Sequence, residues 1–230
     1  MKRPGAGPKA GHKERKQLPL WQETILLLLI ALVLAIVIKA FFVQAFYIPS
    51  PSMEPEFVKN DRILVQKVSY WRGGPTRGDI IVFKDPGGWL TAQDTRSHSG
   101  VKKVMETIGL YPAGGHLVKR VIGTGGDRVV CCDTQGRITI NGKPLSEPYL
   151  PKNTAPSLTK FNVKVPAGYL WMMGDNRGDS SDSRAHMGGP GGGFVKEDLV
   201  VGKVFALVWP AKRAELIHRP SGFAAIPDPK

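Results

Sequence analysis

The chain has 230 residues, 42% of them hydrophobic, and 32 Lys and Arg against 19 Asp and Glu give it a net charge of +13. Its 27 glycines and 19 prolines, about a fifth of the residues, supply many turns without low complexity, which excludes a collagen-like or wholly disordered chain. The apolar fraction is too small for a multi-span membrane protein but leaves room for one concentrated apolar run.

That run is Ile25 to Ile38, fourteen apolar residues in succession, and after Lys39 the apolar character resumes through Phe46. Read as helix, 25–46 covers roughly 33 Å at about 1.5 Å per residue, enough for a hydrocarbon core of about 30 Å. Lys39 falls in the last two turns, where its stem carries the ammonium to the headgroups. A cleaved secretory signal is the competing reading, with Val43-Gln44-Ala45 as a small-residue cleavage site, but the run exceeds the apolar core of about 7 to 15 residues in such signals. Six basic residues precede the span (Lys2, Arg3, Lys9, Lys13, Arg15 and Lys16), and no charge follows it until Glu54. The positive-inside rule then places the N-terminus in the cytoplasm and everything beyond about residue 47 on the far side. The expected organisation is a basic cytoplasmic tail (1–19), a transmembrane helix (20–46), an extracytoplasmic β-rich domain (47–218) and a flexible C-terminal tail (219–230). The localisation that follows is a cell membrane crossed once.

Past Ile48 no long stretch sustains a 3.6-residue period, whereas short β-branched runs recur between turn signals. The predicted strands are 62–68, 79–83, 117–122, 128–131, 137–140, 169–173 and 200–209, with turns at Gly73-Gly74, Pro86-Gly87-Gly88, Asn141-Gly142 and Gly188 to Gly193. The fold class is all-β, mostly antiparallel, behind one N-terminal helix. Residues 88–115 read as a polar insertion between strands. Attraction to anionic lipid headgroups suits the positive charge of the outer part. Nucleic acid does not, since neither an RNP1-like run nor a zinc-finger spacing is present.

Three segments carry candidate chemistry. Ile48-Pro49-Ser50-Pro51-Ser52-Met53-Glu54-Pro55 cages two serines between prolines, which fix φ and disfavour helix in the residue before them, so the hydroxyls are held in a stiff segment. A stiff juxtamembrane linker would look the same. A serine nucleophile needs a base, and besides a histidine this can be a lysine kept neutral by desolvation. In His116-Leu117-Val118-Lys119-Arg120-Val121-Ile122, strand alternation sets Lys119 on one face with Leu117 and Val121. Lys203, between Val201 and Phe205, is the rival, and an edge lysine facing water is the plain reading of either. The third segment, 174–184, is rich in acids, but Arg177 stands where a calcium loop needs a ligand, so a rigid polar loop is expected and no metal. Cys131-Cys132 reads as two buried thiols, because adjacent Cα atoms about 3.8 Å apart across a trans peptide suit a disulfide poorly.

Together Pro49-Ser50-Pro51-Ser52-Met53-Glu54-Pro55, Lys119-Arg120-Val121-Ile122-Gly123 with Gly126-Asp127, and Gly174-Asp175-Asn176-Arg177 through Ser180, Asp182 and Arg184 resemble type I signal peptidase, the membrane-bound Ser/Lys endopeptidase of exported proteins. Arg77-Gly78-Asp79-Ile80-Ile81-Val82-Phe83 is a weaker fourth match. The resemblance implies Ser52 as nucleophile, Lys119 as general base, Ser50 in the oxyanion hole and Ser180 orienting the amine. It implies structural support from Asp175, Asn176, Arg177, Asp182 and Arg184. It also implies small pockets for the substrate's −1 and −3 side chains on Phe46, Ile48, Pro49, Met53, Leu117 and Val118, no cofactor, and as partners signal-peptide-bearing preproteins met at the secretion translocon, together with the lipid bilayer. Glu56-Phe57 replaces the family's usual Thr-Leu, and Gly178-Asp179 its common Asp-Asn; both bear on pocket shape. The single span is similar to Gram-positive and actinobacterial members. Two rival enzyme readings are the β-lactamase type, on Ser157-Leu158-Thr159-Lys160 without its companion motifs, and the self-cleaving domain of SOS-type repressors. The non-enzymatic reading is an export adaptor or degenerate homologue.

Overall fold

The computed structural model of the chain describes residues 19–71, 73–90, 100 and 115–229. The basic residues before Leu18 and most of the expected insertion at 88–115 lie outside these. The chain divides into two compact units after Val37.

Helix α1, Leu20–Phe41, follows Pro19, whose carbonyl accepts the N–H groups of Gln22 and Glu23. Leucine, isoleucine and valine cover it on every side, so it has no polar stripe of the kind a surface helix shows. Its side chains are described as far as Ile36, and among the described residues no helix is long and apolar enough to cross a membrane.

The remainder is β structure. The strands are β1 (Val43–Tyr47), β2 (Arg62–Gln66), β3 (Ile80–Lys84), β4 (His116–Gly123), β5 (Arg128–Cys131), β6 (Ile138–Ile140), β7 (Lys143–Pro144), β8 (Phe161–Lys164), β9 (Tyr169–Met173), β10 (Val195–Lys196), β11 (Val200–Trp209) and β12 (Glu215–Leu216). One antiparallel sheet runs β1-β2-β11-β3-β4-β9-β10, with β12 on β11, and a smaller one runs β7-β6-β5-β8. The smaller sheet is built on short hairpins: Asn141-Gly142 turns β6 into β7, and both residues take the positive φ that such a turn requires.

All seven predicted strands are present, and three of them, β5, β9 and β11, have the expected bounds. The helix, however, was expected to continue through Phe46, and it stops at Phe41. Val43 to Tyr47 instead pairs residue for residue with β2, from Val43 opposite Gln66 to Tyr47 opposite Arg62. A continuous apolar run has no period by which to separate buried strand from helix, and the pairing decides it.

Two further expectations are corrected. Cys131 and Cys132 are not free thiols: they form a disulfide across a cis peptide bond, with Cα atoms 3.0 Å apart, a spacing the trans assumption excluded. Nor is the C-terminal segment a loose tail. Phe223 and Ile226 are buried in the cluster that includes Ile122, Val129, Leu145 and Trp171, and Arg77 donates to the Ile226 carbonyl. Phe223→Ala should therefore lower the unfolding free energy by about 3 kcal/mol, as for other buried aromatics. Denaturant unfolding measures this, and unchanged stability would show that the segment is not part of the core.

Candidate active site

Ser52 sits on the loop that connects β1 to β2. The neck of the loop is closed by the Ile48 N–H donating to the Asp61 carbonyl and the Asn60 N–H donating to the Ile48 carbonyl, both at 2.9 Å. Met53 and Phe57 turn inward and are fully buried with Phe46, Ile48, Ile63, Ile80 and Val82, so apolar packing fastens the loop from below. Ser52 itself is 8% exposed, whereas Ser50 stands at the surface with its Oγ 3.2 Å from the Ser52 Oγ.

Lys119 approaches from β4, a strand between β3 and β9 that is buried on both faces. Ile81 of β3 lies opposite it in register. The alternation predicted for Leu117, Lys119 and Val121 therefore does point into a core, and Lys119 is 3% exposed. Its Nζ is 2.6 Å from the Ser52 Oγ. Desolvation pushes its pKa down to about 8, against the pull of the Asp182 and Asp175 carboxylates and with help from the Arg184 cation. The rival Lys203 is partly open to solvent and ion-pairs with Asp79 at 2.8 Å.

The acidic loop after β9 supports this pair. Asn176 donates its backbone N–H to the Ser52 carbonyl at 3.1 Å and its Nδ2 to the Pro51 carbonyl at 3.2 Å. Arg184 grips the Asp182 carboxylate through Nε and Nη2 at 2.9 and 2.7 Å. Burial alone would raise the pKa of Asp182, but hydrogen bonds from Arg184 and from the Gly174 N–H hold it below the usual carboxylate range. Arg177 reaches the Gly174 and Pro156 carbonyls and the Glu147 carboxylate at 2.9, 3.0 and 2.6 Å. Only glycine fits at 174, because a Cβ there would run into the Ser180 Oγ and the Ser52 carbonyl oxygen.

The structure thus brings Ser52, Lys119 and Ser50 together over Asp175, Asn176, Arg177, Asp182 and Arg184. Ser180 is nearby, but its buried Oγ finds no partner of normal hydrogen-bond geometry among the described residues, although its hydroxyl is close enough to the Asp182 carboxylate to help lower that group's pKa. Of the expected pocket residues, Phe46, Ile48 and Met53 share one apolar cluster with Val118 against it, and Pro49 is exposed beside them. Leu117 belongs to a different cluster, with Ile81, Phe83 and Leu170, because alternation turns it to the opposite face of β4 from Val118.

Arg120 was quoted in the sequence without a role. It is 1% exposed, binds Asp175 through Nε and Nη2 at 2.8 and 2.5 Å, and lies 4.1 Å over the Tyr149 ring. A charged residue that alternation sets between Val118 and Ile122 on one face of the strand is the signal that could have found it, since a buried cation needs a carboxylate.

An amine whose pKa burial lowers to about 8, within hydrogen-bond distance of a hydroxyl in a β domain, is equipment for acyl transfer. The profile of the family described as signal peptidase, peptidase S26, matches residues 21–209. The signal peptidase I of Mycobacterium tuberculosis is 41% identical over 217 residues, covering 84% of this chain and 74% of that protein. A probable signal peptidase I of Mycobacterium leprae is 38% identical, covering 86% and 79%, and the signal peptidase I U of Bacillus subtilis 35%, covering 82% and 88%. The chain belongs to the signal peptidase family, peptidase S26.

Moving Lys119 from an ordinary pKa of about 10.4 down to about 8 costs the folded state about 3 kcal/mol. The cost is full below pH 8, where both folded and unfolded chains carry the proton, and disappears as pH rises toward 10.4 and the unfolded amine also becomes neutral. Lys119→Met should accordingly be more stable than the parent at pH 7, with a gain that shrinks toward pH 10. Thermal unfolding across that range tests it, and a pH-independent difference would contradict the assignment.

Proposed function

We propose that the chain is a membrane-anchored serine endopeptidase that removes signal peptides from exported preproteins, cutting after small residues at −3 and −1. The observation that carries the mechanism is the 2.6 Å contact between the desolvated Lys119 amine and the Ser52 hydroxyl. Neutral Lys119 takes the Ser52 proton as Oγ attacks the −1 carbonyl carbon, and the amine then passes that proton to the departing nitrogen as the C–N bond breaks. A water activated by the same amine hydrolyses the ester and restores Ser52. The Ser52 N–H and Ser50 Oγ donate to the oxyanion. The resemblance assigns Ser180 to steadying the amine, a role in which its buried Oγ turns to the Lys119 Nζ.

An extended substrate strand has room to add to the sheet. β1 ends the larger sheet, and β9 pairs with β4 only from Arg120 onward, leaving 117–119 outside that ladder. Phe46 of β1 and His116 of β4 meet with ring centroids 5.4 Å apart, so the two strands flank one cleft.

On this reading α1 crosses the bilayer with the N-terminus in the cytoplasm, supported by the length of the apolar run and the basic residues before it. The β domain then works at the outer lipid surface, where preproteins emerge from the secretion translocon, and sharing the bilayer with the substrate raises its effective concentration.

In a preprotein cleavage assay Ser52→Ala and Lys119→Ala should each abolish processing, whereas an export adaptor would lose nothing. For the parent, kcat/KM on a short peptide should fall about tenfold per pH unit below about 8, because the protonated amine cannot act as base; an acidic optimum would overturn the assignment. Truncation of residues 1–41 should leave peptide hydrolysis in place and slow the cleavage of membrane-embedded preproteins. Equal losses on both substrates would argue against the anchor's role.

A further inference from the structure

The loop bearing Ser52 is gripped from a direction that neither the resemblance nor the acidic loop accounts for. β11 ends with Trp209 level with Arg62, the first residue of β2 and the neighbour of Asp61. The chain then makes a 3-10 turn, Ala211–Arg213, in which the Arg213 N–H donates to the Pro210 carbonyl at 2.8 Å. This turn brings Arg213 to the neck of the loop. Its Nη1 lies 3.0 and 2.7 Å from the two oxygens of Asp61, a carboxylate that is 1% exposed and also accepts the Val58 N–H at 2.8 Å. Its Nη2 donates to the Glu56 carbonyl at 3.1 Å and approaches the Pro55 carbonyl at 3.4 Å.

One guanidinium thus ties the neck of the loop to its far side, three and four residues beyond the nucleophile. The planar fork suits this work, because its donors are fixed relative to one another, and an ammonium offers one charge without that geometry. On the side nearer Ser52, Asn176 holds the Pro51 and Ser52 carbonyls. Between these two grips the segment 53–54 has little freedom to rotate, and the rotation of Ser52 about its backbone decides whether its Oγ meets Lys119.

We propose that Arg213 is a positioning residue for the reaction: through the Pro55 and Glu56 carbonyls and the Asp61 carboxylate it sets the pose of Ser52 against Lys119. It touches neither substrate nor reacting atoms. The inference rests on Ser52 being the nucleophile, as proposed above.

The test uses the full-length chain in mixed phospholipid–detergent micelles and a short peptide with alanine at −3 and −1. Parent, Arg213→Ala and Arg213→Lys are compared by kcat and KM, with active sites counted from the acyl-enzyme burst and folding followed by thermal unfolding. Arg213→Ala should lower kcat per titrated site about tenfold or more with KM within about twofold, the signature of a misplaced nucleophile. Arg213→Lys, which keeps the charge on Asp61 without the fork, should recover only part of that loss. Millimolar guanidinium added to Arg213→Ala should raise kcat again. A purely structural residue would instead lower the unfolding temperature and the number of titrated sites while leaving kcat per site unchanged, and that result overturns the proposal. Should Arg213→Ala fail to fold, the lysine variant decides, since full kcat per site there also overturns it. If parent and Ser52→Ala hydrolyse the peptide equally, the reading of Ser52 fails, an outcome distinct from failure of Arg213 alone.

Discussion

A lysine amine can serve as a base near neutral pH only if its surroundings penalise the proton, and at Lys119 two opposing fields meet. Burial removes the water that would stabilise the ammonium, and this is the dominant effect. Asp182 and Asp175 lie close enough to favour the ammonium, and unpartnered carboxylates there would undo much of the desolvation. Each is held by a guanidinium through two nitrogens, Arg184 on Asp182 and Arg120 on Asp175. The arginines keep the acidic loop rigid and at the same time offset its charge, and Arg184 itself adds to the lowering. The ion pairs are therefore best understood as conditions for an uncharged amine, since a buried pair adds little net stability over apolar packing.

The fold supplies this environment by bringing together segments remote in sequence. β4 lies inside the larger sheet with both faces covered, and a lysine on such a strand has no route to water other than toward the loop above it. Ser52 comes from a loop at the sheet's end, Asn176 and Arg184 from the loop after β9, and Arg213 from the turn after β11. Sixty-seven positions separate Lys119 from Ser52, and 152 separate Arg213 from Asp61. Contacts of this range form only when the sheet is assembled, so loop pose and base burial arise with the fold as a whole.

What could be read from the sequence follows from which patterns are local. Strand period is local, and Tyr169–Met173 and Val200–Trp209 were legible to the residue. Val43–Tyr47 was not, because its apolar residues continue those of the helix and only β2 distinguishes them. β7, β10 and β12, of two residues each, are too short to carry a pattern, and β8 sets only Phe161 and Val163 between polar residues; all four exist through the neighbours they pair with. In the site, the proline cage and strand alternation offered Ser52 beside Ser50 and Lys119 beside Lys203, and the resemblance chose between them; parity on β4 sets Arg120 on the face of Val118 and Ile122, where it is buried. The same parity separates Leu117 from Val118, which the resemblance grouped in one pocket. Arg213 gives no local sign: it lies in a mixed, charged stretch whose importance appears only where β11 ends beside β2. Phe223 and Ile226 were hidden likewise, between prolines that suggest a loose end.

The Glu56-Phe57 departure from the family's pattern falls in the backing of the nucleophile loop and spares the Ser52–Lys119 contact, whereas Asp179 of the other departure adds to the field that favours the Lys119 ammonium. Phe57 is fully buried beside Met53, where the family's usual leucine is smaller, and close-packed interiors absorb such an increase only by moving neighbours. Those neighbours are Phe46, Ile48 and Met53, the same side chains that would shape a site for small substrate residues. Glu56 turns its carboxylate toward Arg120, 3.9 Å away, and burial raises its pKa despite that cation. Its backbone carbonyl meanwhile belongs to the grip of Arg213. The chemistry of the pair can therefore be carried across the family more safely than the shape of the pocket, because the first depends on a contact this chain keeps and the second on packing it has changed.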